Sequence, residues 1–109
     1  MKIKLNADDS TVIKSNETYD VIDNTNLKNL IVSKTILHPL KNTSGHNHSG
    51  QEEVYIFTNG TGSMLVGTEL NDVQIGDIVL IPDGAYHQVW NEGEEDLIFV
   101  CVFDGGRNH

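Results

Sequence analysis

Short apolar stretches separated by turn residues run through most of this chain, and none has the periodicity of an amphipathic helix. Turn residues are clearest at Asn59-Gly60, which predicts a two-residue hairpin, and at Pro82-Asp83-Gly84. Many short strands at regular spacing are typical of a β-sandwich or a small barrel. Segments rich in β-branched and aromatic residues predict strands at 30–32, 35–37, 54–58, 63–66, 78–81 and 97–103.

The same patterning divides the 109 residues into three parts. Residues 1–29 are polar and less regular, and we interpret them as edge strands or an arm. Residues 30–103 hold the patterned strands and are predicted to form the barrel, and residues 104–109 are predicted to be a flexible tail. A chain of this length is one domain, small enough to gain stability from an oligomeric partner.

Charge and cysteine content narrow the possible function classes. Sixteen acidic and seven basic residues give a net charge of −9, which argues against nucleic acid or an anionic membrane as a partner. No stretch approaches the roughly 20 apolar residues of a membrane span, and no apolar leader follows Met1, so a cytoplasmic location is predicted. The single cysteine, Cys101, is predicted to be a small buried hydrophobe rather than a redox or nucleophilic group.

Two spaced groups of histidine, glutamate and glycine stand out against this background. Imidazole and carboxylate groups are the ligands that hold divalent first-row metals. Two histidines at positions i and i+2 of a strand point to the same side, so both rings can converge on one ion. The two groups read His46-x-His48-x4-Glu53-x6-Gly60 and Gly76-x5-Pro82-x-Gly84-x2-His87-x3-Asn91.

These two motifs resemble those of the cupin superfamily, and the chain is similar to its small, single-domain type-2 members. The second motif matches at every fixed position, whereas the first has Leu40 where its opening glycine would stand. The resemblance covers residues 30–103 and implies an all-β fold, a double-stranded β-helix of the jelly-roll or cupin-barrel type. It also implies a homodimer and a site for a divalent Fe, Mn, Ni, Co or Zn ion. The implied metal ligands are His46, His48, Glu53 and His87.

The carboxylate ligand has an alternative, because Glu52 precedes Glu53 and the family accepts three or four intervening residues. Glu53 is preferred, since it alone leaves six residues before Gly60. That choice predicts a strand with Glu53, Tyr55 and Phe57 on one face, and Glu52 as the ligand would exchange the two faces.

Three other side chains near the motifs carry groups that could serve either a functional site or the packing of the fold. Tyr55 shares the predicted face of Glu53, so it is a candidate acid, base or substrate-orienting group as well as a packing residue. His38 is predicted to be a surface or hydrogen-bonded histidine rather than a fifth ligand. Trp90 is predicted to lie in the core or at an interface.

Three functions fit an ion held by three neutral imidazoles and one carboxylate. The favoured one is a metal-dependent enzyme acting on an oxygen-bearing small metabolite, as a dioxygenase or as a Lewis-acid isomerase, epimerase or lyase. The second is a metal-dependent module that binds or senses a small molecule without turnover. The third is a structural site that only stabilises the fold.

Overall fold

The computed structural model describes Lys2 and residues 10–24, 26–47 and 49–104. These residues form β-strands joined by turns and loops, and no helix among them is long and apolar enough to cross a membrane. The strands are β1 (Ser10–Ser15), β2 (Tyr19–Asn24), β3 (Leu30–Leu37), β4 (Glu53–Asn59), β5 (Thr61–Val66), β6 (Glu69–Gln74), β7 (Ile78–Ile81), β8 (His87–Asn91) and β9 (Leu97–Asp104).

The strands make two antiparallel sheets. The larger has the order β1-β2-β3-β9-β4-β7, and the smaller has the order β6-β5-β8. The inner faces of both sheets supply the buried core, so the fold is the predicted jelly-roll barrel. The core residues are Leu37, Tyr55, Phe57, Met64, Val73, Ile81, Val89, Leu97, Phe99, Cys101 and Phe103.

The segments at the two chain ends were predicted from composition alone. Strands β1 and β2 lie within residues 1–29 and extend one edge of the larger sheet. Residues 1, 3–9 and the tail at 105–109 lie outside the described residues, so the arm and tail assignments stay predictions there. The two predicted segments 30–32 and 35–37 are one strand, because Ser33 continues the alternation by facing inward, where it is buried.

The hairpin predicted at Asn59-Gly60 is wrong. Strand β4 pairs with β7 and β9, whereas β5 pairs with β6 and β8, so Gly60 carries the chain from one sheet to the other. Gly60 has φ +83°, and a Cβ there would lie 2.5 Å from the carbonyl oxygen of Asp96. Glycine is therefore required by a sheet switch rather than by a tight hairpin. The hairpin in this region is β5–β6.

The apolar run of β9 is buried on one side only. Its odd-numbered residues face the core, and Ile98, Val100 and Val102 lie half-buried on the outer face of the larger sheet. Cross-strand register joins these outer residues to other aliphatic side chains in a continuous surface. The outer aliphatic residues are Val12, Ile22, Val32, Ile36, Val54, Ile56, Ile78, Leu80, Ile98, Val100 and Val102.

Leu40 occupies a backbone conformation that favours glycine. It has φ +63°, the only positive value at a non-glycine position among the described residues. The amide of Lys41 donates to the His38 carbonyl at 3.2 Å, which makes Pro39 and Leu40 the central residues of a turn. Positive φ at the second central position identifies a type II turn, in which glycine is the preferred residue. The turn of the first motif is thus formed without its glycine, by a strained leucine.

Replacing Leu40 by Gly is expected to stabilise the protein. The left-handed conformation costs an L-residue roughly 1–2 kcal/mol, and glycine loses part of that gain through its freer unfolded chain. Leu40 is 75% exposed, so no core contact is lost. The net gain should be about 0.5–1 kcal/mol, measured by urea unfolding. Leu70→Gly is the control, because Leu70 is also exposed but lies within β6, and this variant should lose stability. Equal losses in the two variants would contradict the turn assignment.

Candidate functional site

His46 and His87 are brought together by the backbone. The His46 amide donates to the His87 carbonyl at 3.2 Å, and the His87 amide donates to the His46 carbonyl at 2.9 Å. Their ring centroids are 4.5 Å apart in an edge-to-face arrangement. The two motifs, which lie far apart in sequence, therefore meet at one bridge between the loop before β4 and the start of β8.

The turn before β8 places His87 in the interior. The Ala85 amide donates to the Pro82 carbonyl at 3.0 Å, so the central residues of this turn are Asp83 and Gly84. The turn predicted at Pro82-Asp83-Gly84 is therefore present, with Pro82 as its first residue rather than a central one. Gly84 has φ +78°, as the turn requires. His87 follows as the first residue of β8, with 1% of its side chain exposed.

Both imidazoles are held in the same tautomer by backbone carbonyls. Nδ1 of His46 lies 2.9 Å from the Ser44 carbonyl oxygen, and Nδ1 of His87 lies 3.1 Å from the Ala85 carbonyl oxygen. A carbonyl oxygen only accepts, so each neutral ring carries its hydrogen on Nδ1. Nε2 of each ring then carries a lone pair, which is the form of imidazole that binds metals, and the carbonyl contact fixes the ring orientation.

Glu53 joins the imidazoles from the facing strand. It begins β4, its side chain is 1% exposed, and its Oε1 lies 3.9 Å from Nε2 of His87. The neighbouring Glu52 is exposed. The predicted face of β4 is confirmed, because Glu53, Tyr55 and Phe57 are all buried. The structure therefore places Glu53 beside the histidines and leaves Glu52 on the surface.

These groups suit a divalent ion in chemistry and spacing. The distance of 3.9 Å between Nε2 of His87 and Oε1 of Glu53 is less than two metal–ligand bonds of roughly 2.1 Å each, so one ion can reach both atoms. His48 lies outside the described residues. Among the residues that are described, no group of three His, Cys, Asp or Glu side chains stands in a metal-binding arrangement. The full set of three histidines and one glutamate stays a prediction.

Tyr55 packs against the candidate ligands. Its ring meets that of His87 edge-on, with centroids 5.8 Å apart, and it stacks on Phe99 at 5.0 Å with an interplanar angle of 15°. The side chain is 6% exposed. These contacts fit the packing role that the sequence predicted, and they also hold the ring rigidly beside the site.

A cavity of about 270 Å³ adjoins the site. His46 and Tyr55 form part of its wall, so the cavity reaches one candidate ligand directly. Sequence reasoning missed most of its wall, which comes from β1, β2, β3 and β9 and from the loop before β4. The sequence of β3 did contain a sign of the cavity, because Ser33 and Thr35 place small hydroxyl groups on an inward face that is otherwise apolar. Buried hydroxyls in an apolar wall are typical of a ligand pocket.

Two further predictions concern residues away from the imidazoles. His38 is a hydrogen-bonded histidine, as predicted: Nδ1 lies 3.1 Å from Oδ1 of Asp96, and Nε2 lies 3.5 Å from Oδ2 of Asp20. Cys101 is buried in β9 at 5% exposure, also as predicted. It stands opposite Tyr55 in the sheet and contributes to the cavity wall.

The fold and the site define a small jelly-roll barrel in which His87 lies next to both His46 and Glu53, and His46 also lines a cavity. The family model for the cupin domain matches residues 34–103, and the chain belongs to that family. Among solved structures, a cupin-2 domain protein of Rhodospirillum rubrum aligns with TM-score 0.82 and 17% identity, covering 100% of this chain and 78% of that one. A predicted oxalate decarboxylase of Thermotoga maritima aligns with TM-score 0.76 and 20% identity, covering 95% and 98%.

Sequence relatives of this chain include glucose-6-phosphate isomerases. The glucose-6-phosphate isomerase of Pyrococcus abyssi is 29% identical over 106 residues, an alignment that covers 85% of this chain. It covers only 56% of the isomerase, so the chain spans little more than half the length of this relative. The likeness therefore places the barrel among distant relatives that include enzymes.

Proposed function

We propose that this protein is a metal-dependent cupin enzyme that acts on an oxygen-bearing small metabolite. The observation that carries the proposal is the carbonyl contact at Nδ1 of both His46 and His87, which leaves each Nε2 unprotonated, with Nε2 of His87 3.9 Å from Oε1 of the buried Glu53. His48 completes the proposed ligand set. The adjoining cavity of about 270 Å³ gives a metabolite access to this end of the barrel. The single cysteine supports a reducing, cytoplasmic setting.

Lewis-acid chemistry is the reaction class we favour within this proposal. A divalent ion, when bound, would polarise a carbonyl or hydroxyl oxygen of the metabolite. The chain's own residues would orient the metabolite and move its proton. Tyr55 borders both the His87 ring and the cavity, so its hydroxyl is the candidate to hold that proton. The distant relationship to glucose-6-phosphate isomerases supports isomerisation of a hydroxy-carbonyl compound over oxidation by dioxygen.

The first test is elemental analysis of the protein purified without an affinity tag. Reconstitution with Zn, Mn, Ni, Co or anaerobic Fe would follow, with aldose–ketose exchange and oxygen uptake measured on each form. We expect a bound divalent ion and isomerase or related activity without oxygen consumption. Oxygen uptake triggered by substrate would identify a dioxygenase instead. Metal and ligand binding without turnover would identify a binding module, and protein that takes up no metal would refute the proposal.

Tyr55→Phe is expected to lower kcat about 10²-fold or more while leaving the melting temperature nearly unchanged. The substitution removes the hydroxyl and keeps the ring that stacks on Phe99. Loss of a general acid or base typically costs 10²–10⁴-fold in rate. Tyr86→Phe is the matched control, because Tyr86 is 42% exposed and flanks His87 on the opposite side of the strand. Unchanged turnover in Tyr55→Phe would leave Tyr55 with a packing role only.

We also propose that the protein forms a homodimer through the outer face of the larger sheet. The chain carries a net charge of −9, which opposes self-association over most of its surface. The outer face is different, because aliphatic residues from all six strands cover most of it, and the charged residues in register with them in the described part of the chain are Asp20, Lys34 and Asp104. A second copy presents the same largely aliphatic surface, so covering it brings fewer like charges together than contact through other parts of the chain.

Val100→Glu is expected to convert this dimer into a monomer. Val100 lies in β9, between β3 and β4, so a carboxylate there would stand near the middle of the apolar face. Sedimentation equilibrium should give twice the chain mass of 12.1 kDa for the wild type and the single chain mass for the variant. Leu70→Glu on the smaller sheet should remain dimeric. A monomeric wild type at micromolar concentration would refute the proposed interface.

A further inference from the structure

The cavity wall has a second polar part, contributed by β1 and β2 on one side of the larger sheet. Lys14 of β1 and Tyr19 of β2 both line it, together with the apolar Val21. Nζ of Lys14 donates to the Tyr19 hydroxyl at 3.2 Å and lies 5.5 Å from the centroid of the Tyr19 ring. The ammonium group is therefore held at the cavity wall by a hydrogen bond and by the face of the aromatic ring.

A β-bulge turns Lys14 toward this cavity. Val12 pairs with Ile22 on the outer face of the sheet, and strict alternation would leave Lys14 on that outer face too. The register shifts between Val12 and Lys14, so Lys14 pairs with the inward-facing Val21 instead. Bulges of this kind redirect a side chain, and they are frequent next to functional sites.

Charge at the cavity wall contrasts with charge on the rest of the chain. Acidic residues outnumber basic ones sixteen to seven overall, yet the described residues that line the cavity include no Asp or Glu. Lys14 is the one lysine or arginine among them. The same cavity is also lined by Ser33 and Thr35, which carry hydroxyl groups, and by Phe99 and Phe103.

From this arrangement we propose that the ligand of the cavity is a small organic anion. Its acidic group binds Lys14 and the Tyr19 hydroxyl, and its hydroxyl or carbonyl oxygens lie toward His46 and Tyr55. This inference rests on the proposed function for the metabolite's other end. It adds a specificity determinant from the edge strands, because a neutral compound of the same shape leaves the ammonium group without a charged partner.

The test is calorimetric titration of the full chain with matched charged and neutral compounds. Glucose 6-phosphate is compared with glucose, and lactate with lactamide, so that a phosphate and a carboxylate are each set against an uncharged counterpart. Wild type, Lys14→Met, Lys14→Arg and Lys28→Met are titrated, both metal-loaded and treated with a chelator. Lys28 is the matched control, because it is an exposed lysine in the connection between β2 and β3. Tyr19 begins β2, whereas Lys28 follows the other end of that strand.

We expect at least one anion to bind the wild type more tightly than its neutral counterpart. Lys14→Met should lower the affinity for that anion roughly tenfold. Lys14→Arg should keep most of the wild-type affinity, and Lys28→Met should leave the affinity unchanged. Affinity should also fall with added salt, because Lys14 is exposed to solvent. The member of the panel that binds identifies a phosphate or a carboxylate as the acidic group.

Three results would overturn this inference: no anion binds, the neutral compounds bind equally well, or Lys14→Met and Lys28→Met behave alike. Failure of the proposed function gives a different pattern. In that case the anion still binds in a Lys14-dependent way, but neither metal loading nor chelation changes its affinity and no turnover follows.

Discussion

Replacing His87 by Ala or Glu53 by Gln is expected to abolish stable binding of a divalent ion. His87→Ala removes one of the two proposed ligands that lie 3.9 Å apart in the buried end of the barrel, and Glu53→Gln replaces the other, a carboxylate, by a neutral and weaker amide ligand. Loss of one ligand from a four-ligand site should lower metal affinity by 10²-fold or more, because changes to the outer hydrogen-bonding partners of ligands alone cost 10- to 100-fold. The measurement is metal content after dialysis against a defined free-metal buffer.

Glu52→Gln is the matched control for the carboxylate. It makes the same chemical change one residue earlier, on a side chain that the structure leaves exposed. Its metal content should equal that of the wild type. His48→Ala should behave like His87→Ala if the ligand set is that of the motif. Full metal occupancy in Glu53→Gln together with loss in Glu52→Gln would transfer the ligand role to Glu52.

The melting temperature provides a second measurement of metal binding at this site. A metal that binds only the folded state raises the free energy of unfolding by an amount that depends on the ratio of the free metal concentration to Kd. When this ratio is about 100, the increase is about 2.7 kcal/mol. Chelation should therefore lower the melting temperature of the wild type and leave that of His87→Ala almost unchanged. A wild type that unfolds altogether on chelation would point to a structural site instead.

Much of the candidate site could be predicted from the sequence, because its signals are local. Spacing within the first motif was enough to prefer Glu53 over Glu52, because only Glu53 leaves six residues before Gly60, and the structure buries Glu53 together with Tyr55 and Phe57. The turn before His87 was likewise predicted from neighbouring residues, because Pro82 and Gly84 are typical turn residues. Each of these features depends on a few neighbouring residues and on the chemistry that they carry.

The features that sequence reasoning missed depend on pairing between distant strands. Asn59-Gly60 has the composition of a hairpin, but the chain changes sheets there because β5 pairs with β8 instead of β4. The position of Lys14 is set by a bulge, and a bulge becomes visible only when the register with β2 is known. The lining of the cavity combines both effects, so it could not be predicted residue by residue.

Asn91→Ala is expected to destabilise the protein by about 3 kcal/mol, which corresponds to a fall in melting temperature of roughly 15 °C. Asn91 is the last fixed residue of the second motif, and it is only 3% exposed. Its Nδ2 donates to the Leu37 carbonyl at 2.9 Å and to the Glu95 carbonyl at 2.8 Å, and its Oδ1 accepts from the Gly93 amide at 2.9 Å. It thereby connects the end of β3 to the loop between β8 and β9. Alanine would leave these backbone groups without their partner.

Asn42→Ala is the matched control, because Asn42 is exposed and its Nδ2 reaches only the adjacent Thr43 carbonyl among the contacts described, at 3.2 Å. It should change stability by less than about 0.5 kcal/mol. Asn91→Asp keeps the acceptor for Gly93 but places a carboxylate against two carbonyl oxygens, so it should be no more stable than Asn91→Ala.

The metal dependence of these effects separates the two roles that the second motif combines. Asn91 is hydrogen-bonded to Leu37, Gly93 and Glu95 rather than to the imidazoles, so its loss should cost the same stability in metal-loaded and chelated protein. His87→Ala should instead cost stability mainly in the loaded protein, because it removes a ligand. If Asn91→Ala lost its stability only in the loaded form, the asparagine would act through the metal site. Equal losses in both forms would establish that this motif residue holds the barrel together independently of the ion.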